Sequence, residues 1–510
     1  MRERHVVVVG AGMGGLVSAL LLAHQGVRVT VIERGLLPGG KVRQLQVDGA
    51  AVDSGPTVFT MRWVFDEIFA SVNASLDQML KLQSLDVLAR HAWADGKNLD
   101  LFADVQASTD AIGRFAGLAE ARNFERFCLK TREVYDTLQA PYIQTTLPSV
   151  MQFTKVLGPR GLATLASLGV MSSLWESLGR YFQNDKLRQL FARYATYCGS
   201  SPWQAPATLM LIAQVEMDGV WAIEGGMHAL PQCLEKLAKA RGATFQYGQS
   251  VQRIHTAQNK VRGVTLTNGE AIEADAVVFN GDVSALHAGL LGPATAQATP
   301  RGNKQRSLSA VTWSINAKTS GFELDRHNVF FQNHYASEFK DIFEKQQLPS
   351  APTVYVCAQD RGAGSTPSGS ERLLCLVNAP AVGDQSLLTD EAIERCQHLS
   401  FQLLRQCGLE IQTTAHNTQR TTPTGFHKLF PATGGALYGQ ATHGWMSAFS
   451  RANAATSIPG LILAGGSVHP GPGVPMAAMS GKLAAAAAMA HLVSINRSQR
   501  VATSGGMLTH

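Results

Sequence analysis

The stretch from residue 6 to residue 33 constrains the fold of this chain more than any other part of the sequence. It begins with four valines, Val6 to Val9, and runs directly into the glycine pattern Gly10-x-Gly12-x-x-Gly15. Short β-branched runs of this kind are typical of strands buried on both faces of a parallel sheet. A glycine loop between such a strand and a helix binds the pyrophosphate of a dinucleotide, because the backbone can approach the phosphates closely.

The residues after the loop complete a βαβ unit. Leu16 to Gln25 is predicted to be a helix that Gly26 terminates, and its N-terminal amides would face the phosphates. Val27 to Ile32 is the predicted second strand. Glu33 ends that strand about 20 residues after the glycines, where a carboxylate can accept hydrogen bonds from ribose hydroxyls. The strand, the turn, the helix, the second strand and the acidic residue follow one another at the expected spacing. This combination predicts a dinucleotide site.

The composition is that of a globular protein with room for two or three domains. The chain has 510 residues, of which 45% are hydrophobic and 16% charged. Its net charge of +6 fits an ordinary slightly basic enzyme or contact with anionic lipid equally well, and no nucleic acid partner is predicted. The seven cysteines and fifteen histidines show no disulfide framework and no ligand spacing, so no metal is predicted.

The N-terminal region lacks the pattern of a secretory signal, because the first apolar run is short and breaks into the glycine loop. We therefore expect a protein that is not secreted. The expected location is cytoplasmic, peripheral on the inner membrane.

The order of the remaining patterns predicts an α/β protein in which one domain is assembled from separate parts of the chain. Its predicted parts are residues 1–65, 221–283 and 425–495. Residues 66–220 read as a helical insertion, 284–424 as a substrate domain with a β-sheet, and 496–510 as a disordered tail. Within the insertion, residues 142–181 are apolar with few charges, which fits a surface helix dipping into lipid or a buried pocket-lining helix equally well.

Further glycine turns lie at both ends of the chain. Gly39-Gly40-Lys41 and Asp53-Ser-Gly-Pro-Thr57 follow the βαβ unit closely, and a strand from residue 460 runs into the loop Gly465 to Met476. A second Gly-x-Gly-x-x-Gly after a strand is not found. This arrangement favours one large cofactor that spans both ends of the chain over two separate nucleotides.

These motifs, with Gly225-Gly226-Met227, resemble those of the carotenoid and phytoene desaturase family, within the amine-oxidase-like flavoproteins. The resemblance covers nearly the whole chain in order. The loop Gly465 to Met476 and Ser200-Ser201-Pro202 are most similar to those of bacterial 1-hydroxycarotenoid 3,4-desaturases, also called hydroxyneurosporene or methoxyneurosporene dehydrogenases. One difference is Lys41, where relatives often have arginine; lysine keeps the charge and loses the bidentate fork.

The resemblance implies a Rossmann-like FAD-binding domain, with FAD as cofactor. The implied pyrophosphate contacts are Gly10, Gly12, Gly14 and Gly15. Glu33 would contact the ribose, and Lys41 the phosphate or ribityl oxygens. Pro56 and Thr57 would lie near the isoalloxazine, and Val251 would contact the adenine through its backbone. Gly466 and Met476 would close over the ribityl chain and the flavin.

The implied reaction removes two hydrogens from a saturated carbon pair at the end of a long apolar carotenoid. The cofactor carries this step, so no catalytic acid or base is assigned, and His469 is interpreted as a structural loop residue. Because no NAD unit is found, the electron acceptor is expected to be a quinone or oxygen.

Three other functions remain open. The first is desaturation of phytoene or a related carotene. The second is amine oxidation, for which Tyr438 and Trp445 could form an aromatic cage around a cation. The third is a non-enzymatic, escort-like protein that shelters a prenyl chain, although the intact glycine loop and Glu33 argue against it.

Overall fold

A computed structural model shows two large sheets that share one cavity. It describes residues 3–143, 145, 172–301, 305–362, 367–444 and 446–504, together with positions 155, 158, 159, 161, 163 and 167. Much of the apolar stretch 142–181, and Trp445 of the suggested aromatic cage, therefore lie outside the described residues.

The described strands are β1 (His5–Val9), β2 (Arg28–Glu33), β3 (Gln44–Val47), β4 (Ala50–Asp53), β5 (Leu82–Ser84), β6 (Val87–Trp93), β7 (Asn98–Phe102), β8 (Trp221–Ile223), β9 (Thr244–Tyr247), β10 (Val251–Ala257), β11 (Lys260–Leu266), β12 (Ala271–Glu273), β13 (Ala276–Phe279), β14 (Ser309–Ala317), β15 (Thr319–Gly321), β16 (His327–Phe331), β17 (Val354–Ala358), β18 (Glu371–Ala379), β19 (Leu409–Ile411), β20 (Thr418–Thr421) and β21 (Leu461–Leu463).

The described α-helices are α1 (Met13–His24), α2 (Arg62–Ser71), α3 (Leu76–Met79), α4 (Val105–Ala116), α5 (Leu118–Leu138), α6 (Leu174–Leu178), α7 (Asp185–Ala192), α8 (Leu211–Met217), α9 (Ala229–Ala240), α10 (Val283–His287), α11 (Tyr335–Phe343), α12 (Asp390–Gln406), α13 (Pro423–Leu429) and α14 (Val474–Ser504).

The first sheet confirms the predicted βαβ unit. It is parallel, with the strand order β21-β13-β1-β2-β9. Val6 and Val8 of β1 are buried on the face covered by α1, and Val7 is buried on the opposite face. The valine run is therefore enclosed on both sides, as the sequence predicts.

The C-terminal helix α14 is longer at both ends than the sequence suggests. It begins at Val474 rather than at Lys482, since Pro475 in the first turn has no N–H that needs a helical partner. It continues to Ser504 where a disordered tail is expected from residue 496, and residues 505–510 lie outside the described part. Val474–Ile495 is long and apolar enough to cross a membrane, but half of its apolar window is buried inside the protein, as in a core helix.

The second large sheet has the strand order β20-β14-β18-β17-β16-β6-β7. Its strands β6 and β7 correct the prediction of a helical insertion, because they come from the range 66–220 and β6 pairs in parallel with β16. The signal for this hairpin is the Asp95-Gly96 dipeptide, with Gly96 at φ +82°. The predicted hairpin around Asn268-Gly269 is confirmed by the pairing of β11 with β12.

The two faces of the second sheet have different roles. Val311, Trp313 and Ile315 of β14 pack in the same core as residues of α12. Side chains alternate along a strand, so Thr312 and Ser314 point to the opposite face. That face is one wall of the cavity described next.

Candidate cofactor and substrate site

The glycine loop lies where β1 and its neighbours end, the position at which an open parallel sheet binds its ligand. Gly10 has a φ of +98°, which glycine adopts without strain. A β-carbon on Gly15 would lie 2.1 Å from the Gly10 carbonyl oxygen, so only glycine lets α1 begin so close to β1. Gly10, Gly12 and Gly14 line a cavity of about 1010 Å³, and Gly15 packs behind them.

The Glu33 carboxylate supports the loop from the second strand. Its Oε2 accepts a hydrogen bond from the Ala11 N–H at 2.7 Å, and its Oε1 accepts one from the Gly35 N–H at 2.7 Å. A carboxylate has about four acceptor sites, so it can accept further hydrogen bonds. Glu33 lines the cavity, and this position is compatible with its predicted bonds to ribose hydroxyls.

Asn280 belongs to this site and was missed by sequence reasoning. It directly follows β13, and its Nδ2 donates a hydrogen bond to the Gly10 carbonyl oxygen at 3.2 Å. A β-carbon added at Gly12, Gly14 or Gly465 would lie 2.7, 2.8 or 2.9 Å from atoms of this side chain. The available signal was an amide side chain at the end of a buried strand beside β1.

The first and last helices meet at two glycines. A β-carbon on Gly481 of α14 would lie 2.3 Å from the Gly14 carbonyl oxygen in α1. Ser18 Oγ lies 2.8 Å from the carbonyl oxygen of Gly14 and 3.0 Å from that of Gly481, and so bridges the helices. The two ends of the chain therefore form one site, as one shared cofactor requires.

Lys41 lies on the cavity wall. Its Nζ donates a hydrogen bond to the Leu437 carbonyl oxygen at 2.6 Å and lies 5.3 Å from the centre of the Phe430 ring. Burial lowers the pKa of Lys41, an effect that Asp282 opposes and Arg451 reinforces. An ammonium group has three donors, so Lys41 can still bind phosphate or hydroxyl oxygens.

Asp282 shows what kind of ligand the wall fits. Its Oδ1 accepts hydrogen bonds from Ser284 N–H at 3.0 Å and Oγ at 2.7 Å. Its Oδ2 is buried and has no hydrogen-bond partner within the described part of the chain, which is costly for a carboxylate. Hydroxyl groups of a ligand would supply the missing donor. A glycine loop for phosphates, a lysine and this carboxylate together suit a dinucleotide with a polyhydroxyl chain.

Pro56 and Thr57 line the part of the cavity next to the second sheet. Thr57 Oγ1 forms a hydrogen bond of 2.7 Å with the Tyr355 hydroxyl, which forms another of 2.7 Å with His327 Nδ1. Burial raises the pKa of Tyr355 and lowers the pKa of His327 to about 3. Both side chains are therefore neutral near pH 7 and hold Thr57 in place.

The structure brings almost all of the predicted contacts together. Val251 at the start of β10, Gly466 after β21 and Met476 in the first turn of α14 all line the cavity. Ten of the eleven predicted residues do so: Gly10, Gly12, Gly14, Glu33, Lys41, Pro56, Thr57, Val251, Gly466 and Met476. Gly15 is the exception. Which cofactor atom each residue contacts stays a prediction.

His469 has structural contacts. Its side chain is buried, Nε2 lies 3.0 Å from the Thr145 carbonyl oxygen, and the ring packs edge-on against Tyr142. Burial lowers the pKa of His469 to about 4. These contacts agree with the interpretation of His469 as a loop residue rather than a catalytic one.

Beyond the predicted cofactor contacts the cavity wall is largely apolar. It includes Leu138, Leu209, Leu211, Ile212, Val215, Val329, Leu374, Leu376 and Phe449. Arg193 also lines it, but the guanidinium lies 3.4 Å from Glu216 Oε2, and Glu216 accepts hydrogen bonds from Tyr194 and Tyr197. Since the charge is compensated, this section suits an uncharged, apolar ligand.

A model of the family described as flavin containing amine oxidoreductase matches residues 13–489. The chain belongs to this family. It is 57% identical to the hydroxyneurosporene desaturase of Rubrivivax gelatinosus, over 100% of this chain and 98% of the relative, and 44% identical to that of Cereibacter sphaeroides, over 96% and 99%. The predicted membership of the carotenoid desaturase branch is thereby confirmed.

A solved structure of a putrescine oxidase variant has the same fold, with a TM-score of 0.61 at 15% identity over 96% of this chain and 99% of the other. The predicted amine-oxidase-like α/β architecture is therefore confirmed. The protein is a flavin-dependent oxidoreductase with FAD as its cofactor, and the residues of the cavity wall fit that cofactor.

Proposed function

We propose that the protein is an FAD-dependent desaturase that introduces a C3–C4 double bond into 1-hydroxylated acyclic carotenoids during carotenoid biosynthesis. The observation that carries the proposal is the continuity of the cavity, which the glycine loop lines at one end and apolar side chains line at the other. The high identity to two hydroxyneurosporene desaturases supports the choice of substrate class.

Bound FAD would supply the redox chemistry, by accepting one hydrogen of the carbon pair as a hydride with two electrons, while the hydrogen of the neighbouring carbon leaves as a proton. The chain itself binds, orients and excludes water. The glycine loop and Lys41 would hold the phosphates, and the Tyr355–His327 pair keeps Thr57 in place on the cavity wall. The apolar wall would hold the polyene and keep water from the reacting carbons. No acid or base is assigned.

The cellular setting is part of the proposal. An apolar carotenoid partitions into lipid, so we propose that the protein is cytoplasmic and contacts the inner membrane peripherally. The net charge of +6 supports contact with anionic lipid. A quinone or oxygen would accept the electrons.

The test uses purified flavoprotein and two substrates in lipid vesicles, with a quinone present: a 1-hydroxylated acyclic carotenoid and phytoene. We expect the hydroxylated substrate to lose two hydrogens by mass spectrometry and its absorption to shift to the red. Protein stripped of FAD is the control and should convert neither. Conversion of phytoene alone would refute the proposal, and release of peroxide from an amine would support an amine oxidase instead.

A further inference from the structure

Three polar side chains interrupt the apolar cavity face of the second sheet. Thr312 lies on β14 and Asn378 on β18, while Thr353 directly precedes β17; all three line the cavity. Thr312 is paired with Leu376, and Val354 with Val377, which brings Thr353 opposite Asn378. Thr353 and Asn378 therefore lie side by side, and we call these two side chains the polar patch. Thr312 lies on the other side of Leu376, and strand spacing puts its Cα about 12 Å from that of Thr353, too far to bond the same ligand group.

The hydroxyl of the polar patch lacks a partner of good geometry. Thr353 Oγ1 is buried and has no hydrogen-bond partner at ordinary distance and angle among the residues that the structure describes. Burial raises the pKa of Glu338 to about 7, and the Thr353 hydroxyl near it opposes that rise. A buried hydroxyl without a full hydrogen bond costs about 1–3 kcal/mol, so its place on the cavity wall points to a polar group of the ligand.

Glu338 of α11 lies behind the cavity wall and orients the two residues of the polar patch. It is fully buried, and its carboxylate accepts hydrogen bonds from the Thr353 N–H at 3.0 Å and from Asn378 Nδ2 at 2.8 Å. Because this bond uses the amide nitrogen of Asn378, the side-chain carbonyl oxygen remains available as an acceptor at the cavity. Glu338 is a positioning residue, since it does not itself line the cavity.

Two other polar groups on the same face of the sheet already have partners. Ser314 Oγ is 2.7 Å from Ser54 Oγ, and the Tyr355 hydroxyl is hydrogen-bonded to Thr57 and His327. The polar patch differs from these two groups in having unused hydrogen-bonding capacity. It offers a hydroxyl and a carbonyl oxygen and no net charge, which matches a neutral hydroxyl group better than an ammonium or a carboxylate.

The position of the patch matches the proposed reaction. Thr353 lies two residues from Tyr355 on the same strand face, about 7 Å away along the strand, and Tyr355 is bonded to Thr57 in the loop predicted to approach the isoalloxazine. In a 1-hydroxylated carotenoid the hydroxyl-bearing carbon is two carbons from C3. A hydroxyl held by the patch would therefore leave the C3–C4 bond beside Thr57.

Resting on the proposed function, we infer that the polar patch of Thr353 and Asn378, positioned by Glu338, binds the terminal hydroxyl of the substrate. The patch selects the hydroxylated carotenoid over the hydrocarbon that lacks the hydroxyl. A site that bonds a substrate hydroxyl discriminates in this way, because its own polar groups stay unpaired when the hydroxyl is absent.

The experiment measures kcat/KM of the holoenzyme for a 1-hydroxylated acyclic carotenoid and for the matching hydrocarbon. Thr353→Val removes the hydroxyl of the patch at nearly constant shape, and Thr312→Val removes the buried hydroxyl outside it. We expect the preference for the hydroxylated substrate to fall about tenfold in Thr353→Val, the effect of one hydrogen bond, and to stay unchanged in Thr312→Val, while the value for the hydrocarbon stays within about twofold in both. Glu338→Gln turns an amide NH₂ toward one of the two donors and should raise KM for the hydroxylated substrate more than KM for the hydrocarbon.

The matched control is Thr109→Val. Thr109 is buried in α4, donates a hydrogen bond to the Val105 carbonyl oxygen at 2.8 Å and is remote from the cavity wall. This variant should keep the wild-type preference. A loss of activity on both substrates by the same factor in the patch variants would indicate a structural role and overturn the inference, as would an unchanged preference.

A binding measurement separates this inference from the proposed function. Changes in the carotenoid absorption spectrum give the affinity for each compound without turnover. If wild-type protein desaturates neither compound but binds the hydroxylated one more tightly, and the patch variants remove that difference, then the inference stands and the proposed function fails. If wild-type protein desaturates the hydroxylated carotenoid and the variants keep its preference, the proposed function stands and the inference fails. Equal binding of both compounds by wild-type protein overturns the inference.

Discussion

The contact between the first and last helices predicts a specific defect in the Gly481→Ala variant. The added β-carbon would lie 2.3 Å from the Gly14 carbonyl oxygen and 2.9 Å from Val17 Cβ, whereas ordinary contacts begin at 3.4 Å. The two helices must therefore separate by roughly 1 Å. Overpacking of this kind lowers the free energy of unfolding by about 1–3 kcal/mol. The better helix propensity of alanine offsets about 1 kcal/mol of that loss.

The larger effect should fall on FAD binding, because Gly14 is one of the predicted pyrophosphate contacts. Loss of one hydrogen bond to a charged phosphate costs about 1.5–3 kcal/mol, which is a ten- to hundredfold weaker Kd. FAD titration followed by flavin fluorescence measures this value, and denaturant unfolding of the apoprotein measures the stability.

Gly113→Ala provides the control, since it makes the same change inside a helix. Its β-carbon would meet Ala121 Cβ at 3.6 Å, an ordinary contact, so the variant should be slightly more stable and bind FAD normally. If Gly481→Ala binds FAD with a Kd within twofold of wild type, the α1–α14 contact does not set the geometry of the cofactor site.

Three further predictions concern single side chains. Asn280→Leu removes the hydrogen-bond donor to the Gly10 carbonyl oxygen and should lower the free energy of unfolding by about 1–3 kcal/mol. An unchanged denaturation midpoint would show that Asn280 does not stabilise the glycine loop. In Glu33→Gln the side-chain NH₂ faces one of the two backbone N–H donors, so FAD binding should weaken about tenfold, as equilibrium dialysis would show. Wild-type affinity would count against a role of Glu33 in supporting the glycine loop. Burial lowers the pKa of His327 to about 3 from its ordinary value of 6.5, so the folded protein binds fewer protons than the unfolded chain as pH falls below 6.5. Stability present above pH 6.5 is then lost on acidification, by about 2 kcal/mol at pH 5, and denaturation of wild type and His327→Phe at pH 7 and pH 5 should show a smaller loss in the variant.

The cofactor-binding unit could be predicted because its signals are local. The spacing of Gly10, Gly12 and Gly15 after a valine run, and the position of Glu33, lie within one short segment whose backbone geometry they dictate. The same applies to the hairpin at Asn268-Gly269, where two adjacent residues determine the turn. The glycine loop near the C-terminus then indicated that both ends of the chain serve one cofactor.

The sequence by itself thus determined the fold class and the cofactor, and ten of the eleven residues that it predicted for the cofactor site line the cavity. Tertiary structure decided that Asn280 supports the glycine loop, that β6 and β7 join the second sheet, and that Glu338 stands behind the polar patch. Each of these depends on strand register and on contacts between residues far apart in the chain, and a one-residue change of register would turn every side chain to the other face. Local patterns do not encode register across such distances, so only the folded chain brings these groups together.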